Sequence, residues 1–191
     1  MKKRTFAFAV VIICLSILAS TTLAYFTDTA IARNVITSAG VGIEVVEQQL
    51  VDGKLEEYHK QPIKIMPTSI VSKIVSVRNL EQEAWIRLSY TVTVYDAESK
   101  VMNIPAEELE KVIIIEADSS NWTEKDGWWY CNDAIGTGEM TMPIFEEVAF
   151  SGPNMDNKYQ GCTAVIDVTA QAVQKANNSD TVLEALGWPA Y

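Results

Sequence analysis

Histidine is almost missing from this sequence: His59 is the only one in 191 residues. One imidazole excludes a multi-histidine zinc site and the His-Glu-x-x-His helix of metalloproteases. A Ser-His-Asp or thiol–His pair would have to recruit that same residue from the polar loop Glu56-Glu57-Tyr58-His59-Lys60, and no Ser sits in a nucleophile motif. Cations are also scarce. Fifteen Lys+Arg stand against 25 Asp+Glu, a formal net charge of −10. Nucleic-acid binding needs clustered cations to displace counterions from phosphate, so no nucleic-acid partner is expected. Neither Gly-x-x-x-x-Gly-Lys-Ser/Thr nor Gly-x-Gly-x-x-Gly occurs, which removes the usual nucleotide cradles. The acidic clusters Asn154/Asp156/Asn157, Glu146-Glu147 and Asp126 lack the spacing of a calcium loop and read as turns and a solvated face. No catalytic, cofactor-binding or metal-binding residue is singled out, and the chain reads as a non-enzyme.

What the chain does carry is apolar substance. Hydrophobic residues make up 48% of it, enough for a core in a single domain. Its first part is set apart. Lys2, Lys3 and Arg4 precede an apolar run from Phe6 to Leu18, and small residues follow as far as Ala24. That order is the layout of a secretory signal, residues 1–24. Thr22 and Ala24 occupy the two small positions before the cut, which falls between Ala24 and Tyr25. The competing reading is an uncleaved anchor, because Phe6 to Phe26 is about as long as a membrane span needs. Cleavage removes the three cations and takes the net charge from −10 to −13. Cys14 leaves with the signal. Cys131 and Cys162 remain, and an even pair in an exported protein can form a disulfide. Both sit in strand-like segments, where a buried free thiol is the alternative.

The rest of the chain alternates with period two. Ile86, Leu88, Tyr90, Val92 and Val94 interleave with Arg87, Ser89, Thr91 and Thr93, which predicts a strand with one buried face. Cys162, Ala164, Ile166, Val168, Ala170 and Ala172 predict a second. Further strands are expected around 41–45, 70–77, 128–130 and 147–150, and at 112–115, whose continuous apolar run suggests burial on both faces. Two short helices are expected. Pro105 to Lys111 has Pro in the first turn and early acids. Thr181 to Gly187 begins with a capping-box pattern, Thr181 to Glu184. Residues 48–61 read as an exposed loop or hairpin. Asp52-Gly53, Asp126-Gly127 and Ser151-Gly152-Pro153 mark turns. The fold class is therefore all-β: an antiparallel β-sandwich, jelly-roll-like, over residues 41–191. The aromatic cluster Trp122, Trp128, Trp129 and Tyr130 would serve sugar binding if exposed. Alternation places Trp128 and Tyr130 on one face and Trp129 on the other, which favours core packing.

Several stretches, in order and spacing, carry a family resemblance. Thr22-Leu23-Ala24-Tyr25-Phe26-Thr27-Asp28 resembles the signal junction of proteins cut by SipW-type signal peptidases of Gram-positive bacteria. Asn34-Val35-Ile36-Thr37-Ser38-Ala39-Gly40 is similar to the segment that follows it in that group. Ile65 to Lys73 resembles the group's proline-containing turn into a strand, with Pro67-Thr68 where Gly usually follows Pro. Val77-Arg78-Asn79, Ala84-Trp85-Ile86-Arg87, Gly127-Trp128-Trp129-Tyr130, Gly138-Glu139-Met140-Thr141 and Ala170 to Gln174 complete it. The group is the TasA/camelysin family of biofilm matrix proteins, and the nearest branch is the BsaA type.

The resemblance implies a secreted subunit of extracellular or biofilm-matrix fibres on the surface of a Gram-positive bacterium. Its partners would be further copies of itself in a homopolymer, a SipW-type peptidase, and other matrix proteins or polysaccharide. Residues 25–40 would be an extended donor segment, anchored by Phe26, Ile31, Val35 and Ile36 in a neighbour's sheet once Tyr25 is freed. The alternative is that 25–40 pairs as a first strand within its own subunit. Two other functions are weighed: a surface binding module for polysaccharide or protein, and a camelysin-like secreted metalloprotease, which the single histidine argues against. Isopeptide cross-links of the kind found in some fibre subunits would draw on Lys73, Lys111, Lys158, Asn79 or Asn157, which the sequence does not pair.

Overall fold

Twelve consecutive residue pairs, Thr163↔Tyr95 to Gln174↔Ala84, join the two longest strands and form the backbone of the fold. The computed structural model describes residues 35–37, 41–59 and 61–189. These lie in one compact unit spanning residues 32–191. Eleven strands occur among the described residues. They are β1 (Val35–Thr37), β2 (Ile43–Val51), β3 (Lys54–Glu57), β4 (Ile63–Lys64), β5 (Ile70–Asn79), β6 (Ala84–Tyr95), β7 (Ile113–Ile114), β8 (Trp122–Lys125), β9 (Trp128–Cys131), β10 (Phe145–Phe150) and β11 (Thr163–Gln174). One sheet runs β1-β11-β6-β9-β8, with β4 also on β11. The other runs β3-β2-β5-β10-β7. The chain is an all-β sandwich. After β3 it changes sheet at most connections, the winding of a jelly-roll-like fold. Every strand pairing is antiparallel except β1 on β11.

The alternation read from the sequence decides which faces meet. Ile86, Leu88 and Val94 of β6 and Ala164, Ile166, Val168, Ala170 and Ala172 of β11 all enter one core cluster. The small alanines lie opposite large partners: Ala164 beside Val94, Ala170 beside Leu88, Ala172 beside Ile86. That pairing of sizes lets Val75, Val77, Phe145 and Val148 of the other sheet close the core from above. A smaller cluster forms on the outer face of the first sheet. Trp85, Tyr130, Val173, Val182 and Ala185 make it, with Trp128 and Trp188 packed against them.

Local chemistry sets the turns. Asp52-Gly53 and Asp126-Gly127 both have positive φ at the two central residues. That is the tight-hairpin geometry whose twist matches paired strands. It resolves 48–61 as the β2–β3 hairpin and adds β8 as the partner of β9. Thr68 holds φ 61 after Pro67, in the left-handed region that its β-branched side chain disfavours.

Two expectations change. Residues 112–115 do not form a central strand. Helix α1 (Ala106–Val112) runs into the segment, and only Ile113–Ile114 pair, at the edge of the second sheet. The expected C-terminal helix is a single 3-10 turn, Val182–Glu184, and Thr181 makes no capping hydrogen bond. The cause is Asn178. Its side chain accepts from the Leu186 N–H and donates to the Leu186 carbonyl, which draws the chain round after one turn.

Candidate assembly edges and buried polar sites

A sandwich that joins others through its backbone must do so at its edges, so each edge matters. At one end of the second sheet β3 is short and wholly exposed, and Lys54, Glu56 and Glu57 fill it. At one end of the first sheet β8 carries Glu124 and Lys125. Charged, short edges of this kind resist pairing with another chain. The other two ends are different.

The β11 edge is partly covered. Strand β4 pairs at Thr163 and Ala164, and β1 pairs in parallel at Ala170 to Ala172. Both β1 and β11 lie against β2. Val35 and Ile36, two of the four donor anchors, thus pair with β11 of their own chain. Phe26 and Ile31, with the cleavage-site residues Thr22, Ala24 and Tyr25, lie outside the described residues.

Along the edge of β6 that faces away from β11, an open groove of about 320 Å³ lies between β6, β7 and α1. Tyr90, Val92, Leu109, Ile113 and Ile115 line it, with Glu110 at its rim. Strand β9 pairs with β6 only at Arg87 and Leu88. The next contact on that edge is the Met102 N–H donating to the Val94 carbonyl. Backbone groups alternate along a strand, so Val92 and Tyr90 aim theirs at the same edge as Val94. No strand pairs with them there among the described residues. Facing them, the Val112 carbonyl accepts from Ser151 on the β10 side, which turns Ile113 and Ile115 outward. The Ile113 N–H is spent on Leu109, the last bond of α1. Tyr90 rests edge-on against Phe145 at 5.3 Å, and burial, helped by the charge of Glu110, holds its hydroxyl above the usual pKa.

Two buried polar groupings brace the sandwich. Lys73 of β5 is 3% exposed and donates to Glu47 of β2 at 2.6 Å. The ammonium also lies 4.0 Å from the ring of Tyr58. Burial, then the charge of Glu47, pushes the Tyr58 hydroxyl up to about 12. On the outer face Arg87 lies 4.3 Å from the ring of Trp128 and 4.6 Å from that of Trp188. Its guanidinium donates twice to Gln171 Oε1, at 2.9 and 2.6 Å, and once to the Tyr130 hydroxyl at 3.0 Å. Trp85 adds a bond to the Ser179 carbonyl. Together these contacts fasten residues 175–189 to the sheet. Sequence reading singled out none of Glu47, Tyr58 or Arg87 as a partner, because the pairs are remote along the chain.

The remaining candidates fall into place. Trp122 and Tyr130 are buried, Trp128 and Trp129 half-buried, and Trp128 stacks on Arg87 rather than presenting a flat platform. Cys131 and Cys162 are buried free thiols, and a disulfide between them is ruled out by position. Cys131 stands level with the start of β6, one residue past the Tyr130↔Arg87 pair, and Cys162 with its end, one residue before Thr163↔Tyr95. That is about ten residues along β6, or roughly 30 Å, against a bridging limit of about 7 Å. Burial pushes the Cys131 thiol up to about 11. His59 is exposed, and among the described residues no three His, Cys, Asp or Glu side chains converge to hold a metal. Asp156 caps a 3-10 turn by accepting from the Lys158 N–H, and Asn154 ties Lys111 to Ser151. Of the cross-link candidates, Asn79 spends its amide on the Gln82 and Ile135 carbonyls, and Lys158 pairs with Glu108.

Comparison with family models, with curated proteins and with solved structures finds no match to this chain.

Proposed function

We propose that this protein is an exported structural subunit of extracellular fibres, of the biofilm-matrix kind its sequence resembles. It polymerises head-to-tail through its N-terminal segment after a SipW-type peptidase frees Tyr25. The observation that supports the proposal is the uncovered edge of β6, where no strand pairs with Tyr90 and Val92 among the described residues beside an apolar groove. Residues Val35–Thr37 add to a sheet edge as a parallel strand in a fold that is otherwise antiparallel. Parallel pairing is slightly less stable per residue than antiparallel pairing, and only three residues take part. It fixes the base of the N-terminal segment at the edge of the sandwich, with residues 25–34 upstream of it.

The high negative charge suits a soluble secreted subunit, and pairing through backbone groups tolerates it. The experiment is electron microscopy of residues 25–191 and residues 35–191 at equal high concentration. Filaments are expected from the first and none from the second. Monomers from both would overturn self-assembly.

A further inference from the structure

We propose that Arg87 and Gln171, on the outer face of the first sheet, form a carboxylate-binding site whose ligand is a single sugar acid carried in an otherwise neutral glycan. The site stands apart from the fibre reading above and does not depend on it.

It begins as a row of three residues on three strands. Register sets Gln171 of β11 opposite Arg87 of β6, and Arg87 opposite Tyr130 of β9. Directly opposite residues share a face, here the outer one, where Tyr130 packs with Trp85 and Val173. The side chains bond along the row. Arg87 donates from Nε and Nη2 to Gln171 Oε1, and from Nη1 to the Tyr130 hydroxyl.

The row has charge without a counter-charge. Arg87 is permanently cationic and half-buried between two indoles. Among the described residues no carboxylate pairs with it. Its three hydrogen bonds end on neutral oxygens. A guanidinium has five N–H groups, so two are unspent.

Beside it lies an orphaned amide. Gln171 is 0% exposed, and its Nε2 has no hydrogen-bond partner among the described residues. The two bonds from Arg87 into Oε1 fix which way the amide faces, so Nε2 is the other end of the same small plane. A donor left buried and unmade weakens the fold. Arg87 and Gln171 therefore hold unspent donors side by side. The group that answers them has a negative charge and two acceptor oxygens, which is a carboxylate.

The surroundings select its carrier. Trp128 and Trp188 flank the guanidinium, and Tyr130 meets Trp188 edge-on at 5.7 Å. Both indoles are half-buried, so ring edges remain for the C–H face of a sugar. A net charge of −10 repels a dense polyanion such as an acidic peptide, which favours one carboxylate on a neutral carrier. Entry runs past Trp188. That indole belongs to a strap with a single 3-10 turn, and Leu186 beside it is 78% exposed. Shifting it breaks no strand pairing.

The test uses isotope-labelled residues 25–191, which contain the whole compact unit. NMR follows the Gln171 side-chain amide and the Trp128 and Trp188 indole N–H signals as glucuronate, acetate, glucose or N-acetylalanine is added. Glucuronate should move these signals and saturate at about tenfold lower concentration than acetate, with glucose inert. Gln171→Glu places a carboxylate on Arg87 from within. It should abolish the glucuronate shifts and raise the melting temperature, because the guanidinium gains its counter-charge and the orphaned donor is gone. Equal binding of N-acetylalanine and glucuronate would make this a peptide-carboxylate site and overturn the glycan assignment. Equal binding of glucose would overturn the role of charge. No shift with any ligand overturns the site, whatever the melting temperature of Gln171→Glu. Binding that appears only after residues 190 and 191 are removed would show the chain filling the site itself, which also overturns the proposal.

Discussion

The two sides of the sandwich are finished differently. On the β2/β11 side the edge is closed. Strands β1 and β4 lie on β11, the exposed β3 is armoured with charge, and a buried ion pair sits beneath Tyr58. On the β6/β7 side the edge is left open over an apolar floor, and the one charged residue of its lining, Glu110, sits at the rim. A lone folded domain gains nothing from an unpartnered apolar edge, which invites pairing with foreign strands.

The sharpest way to break the closed side is Lys73→Ala. It leaves the side chain of Glu47, 9% exposed, without its 2.6 Å partner. Removing one member of a buried pair costs about 3–5 kcal/mol, because the stranded charge has lost its water as well. Urea denaturation should show a loss of that size. The paired change Lys73→Met with Glu47→Leu should recover most of it, since an apolar pair of similar volume needs no desolvation. A double variant as unstable as the single would mean the cation over Tyr58, not the ion pair, holds this side.

The open side should answer differently at two neighbouring residues. Ile113 is 5% exposed in the groove floor, whereas Ile114 is 39% exposed. Ile113→Ala should cost about 2–4 kcal/mol through the cavity it leaves. Ile114→Ala should stay within roughly 1 kcal/mol, the range of a surface change. Equal losses would mean that the groove is closed in solution and would undo the contrast between the sides.

Much of this was legible in the sequence, for a definite reason. Strands 84–95 and 163–174 alternate cleanly because each has one face in the core, and period two records that directly. Residues 112–115 misled because an apolar run reads the same whether it is central or, as here, a helix end followed by an edge strand over a groove. The capping-box pattern at Thr181 and Glu184 misled because Asn178, outside the pattern, takes the backbone groups of Leu186. The groove itself is invisible in sequence. It arises where β9 stops pairing at Leu88 while β6 continues to Tyr95, a matter of register between strands more than thirty residues apart. Polar pairs such as Lys73–Glu47 and Arg87–Gln171 are hidden for the same reason.

The smallest expected effect lies on the closed side, at Asp167 of β11. One carboxylate oxygen, Oδ1, is buried with no hydrogen-bond partner among the described residues. Burial first, then the negative charge of Glu47, raises the pKa of this group above its usual value, with Lys73 partly offsetting them. A raised folded pKa means that the fold favours the protonated form. The stability it gives is full below the unfolded carboxylate pKa of about 3.9 and is lost as pH rises through the folded value. At neutral pH the ionised Asp167 is therefore a small burden. Asp167→Asn should raise the urea midpoint at pH 7, and the gain should shrink as pH falls through the folded pKa and vanish below the unfolded value. Glu108 and Asp118, whose pKa values are lowered by hydrogen bonds, weaken the fold in acid, but they do so equally in both chains. The difference between variant and parent thus isolates Asp167. A difference that stays constant with pH would mean that Asp167 binds its proton alike in the folded and unfolded chain, and that the closed side carries no residual electrostatic strain beyond its ion pair.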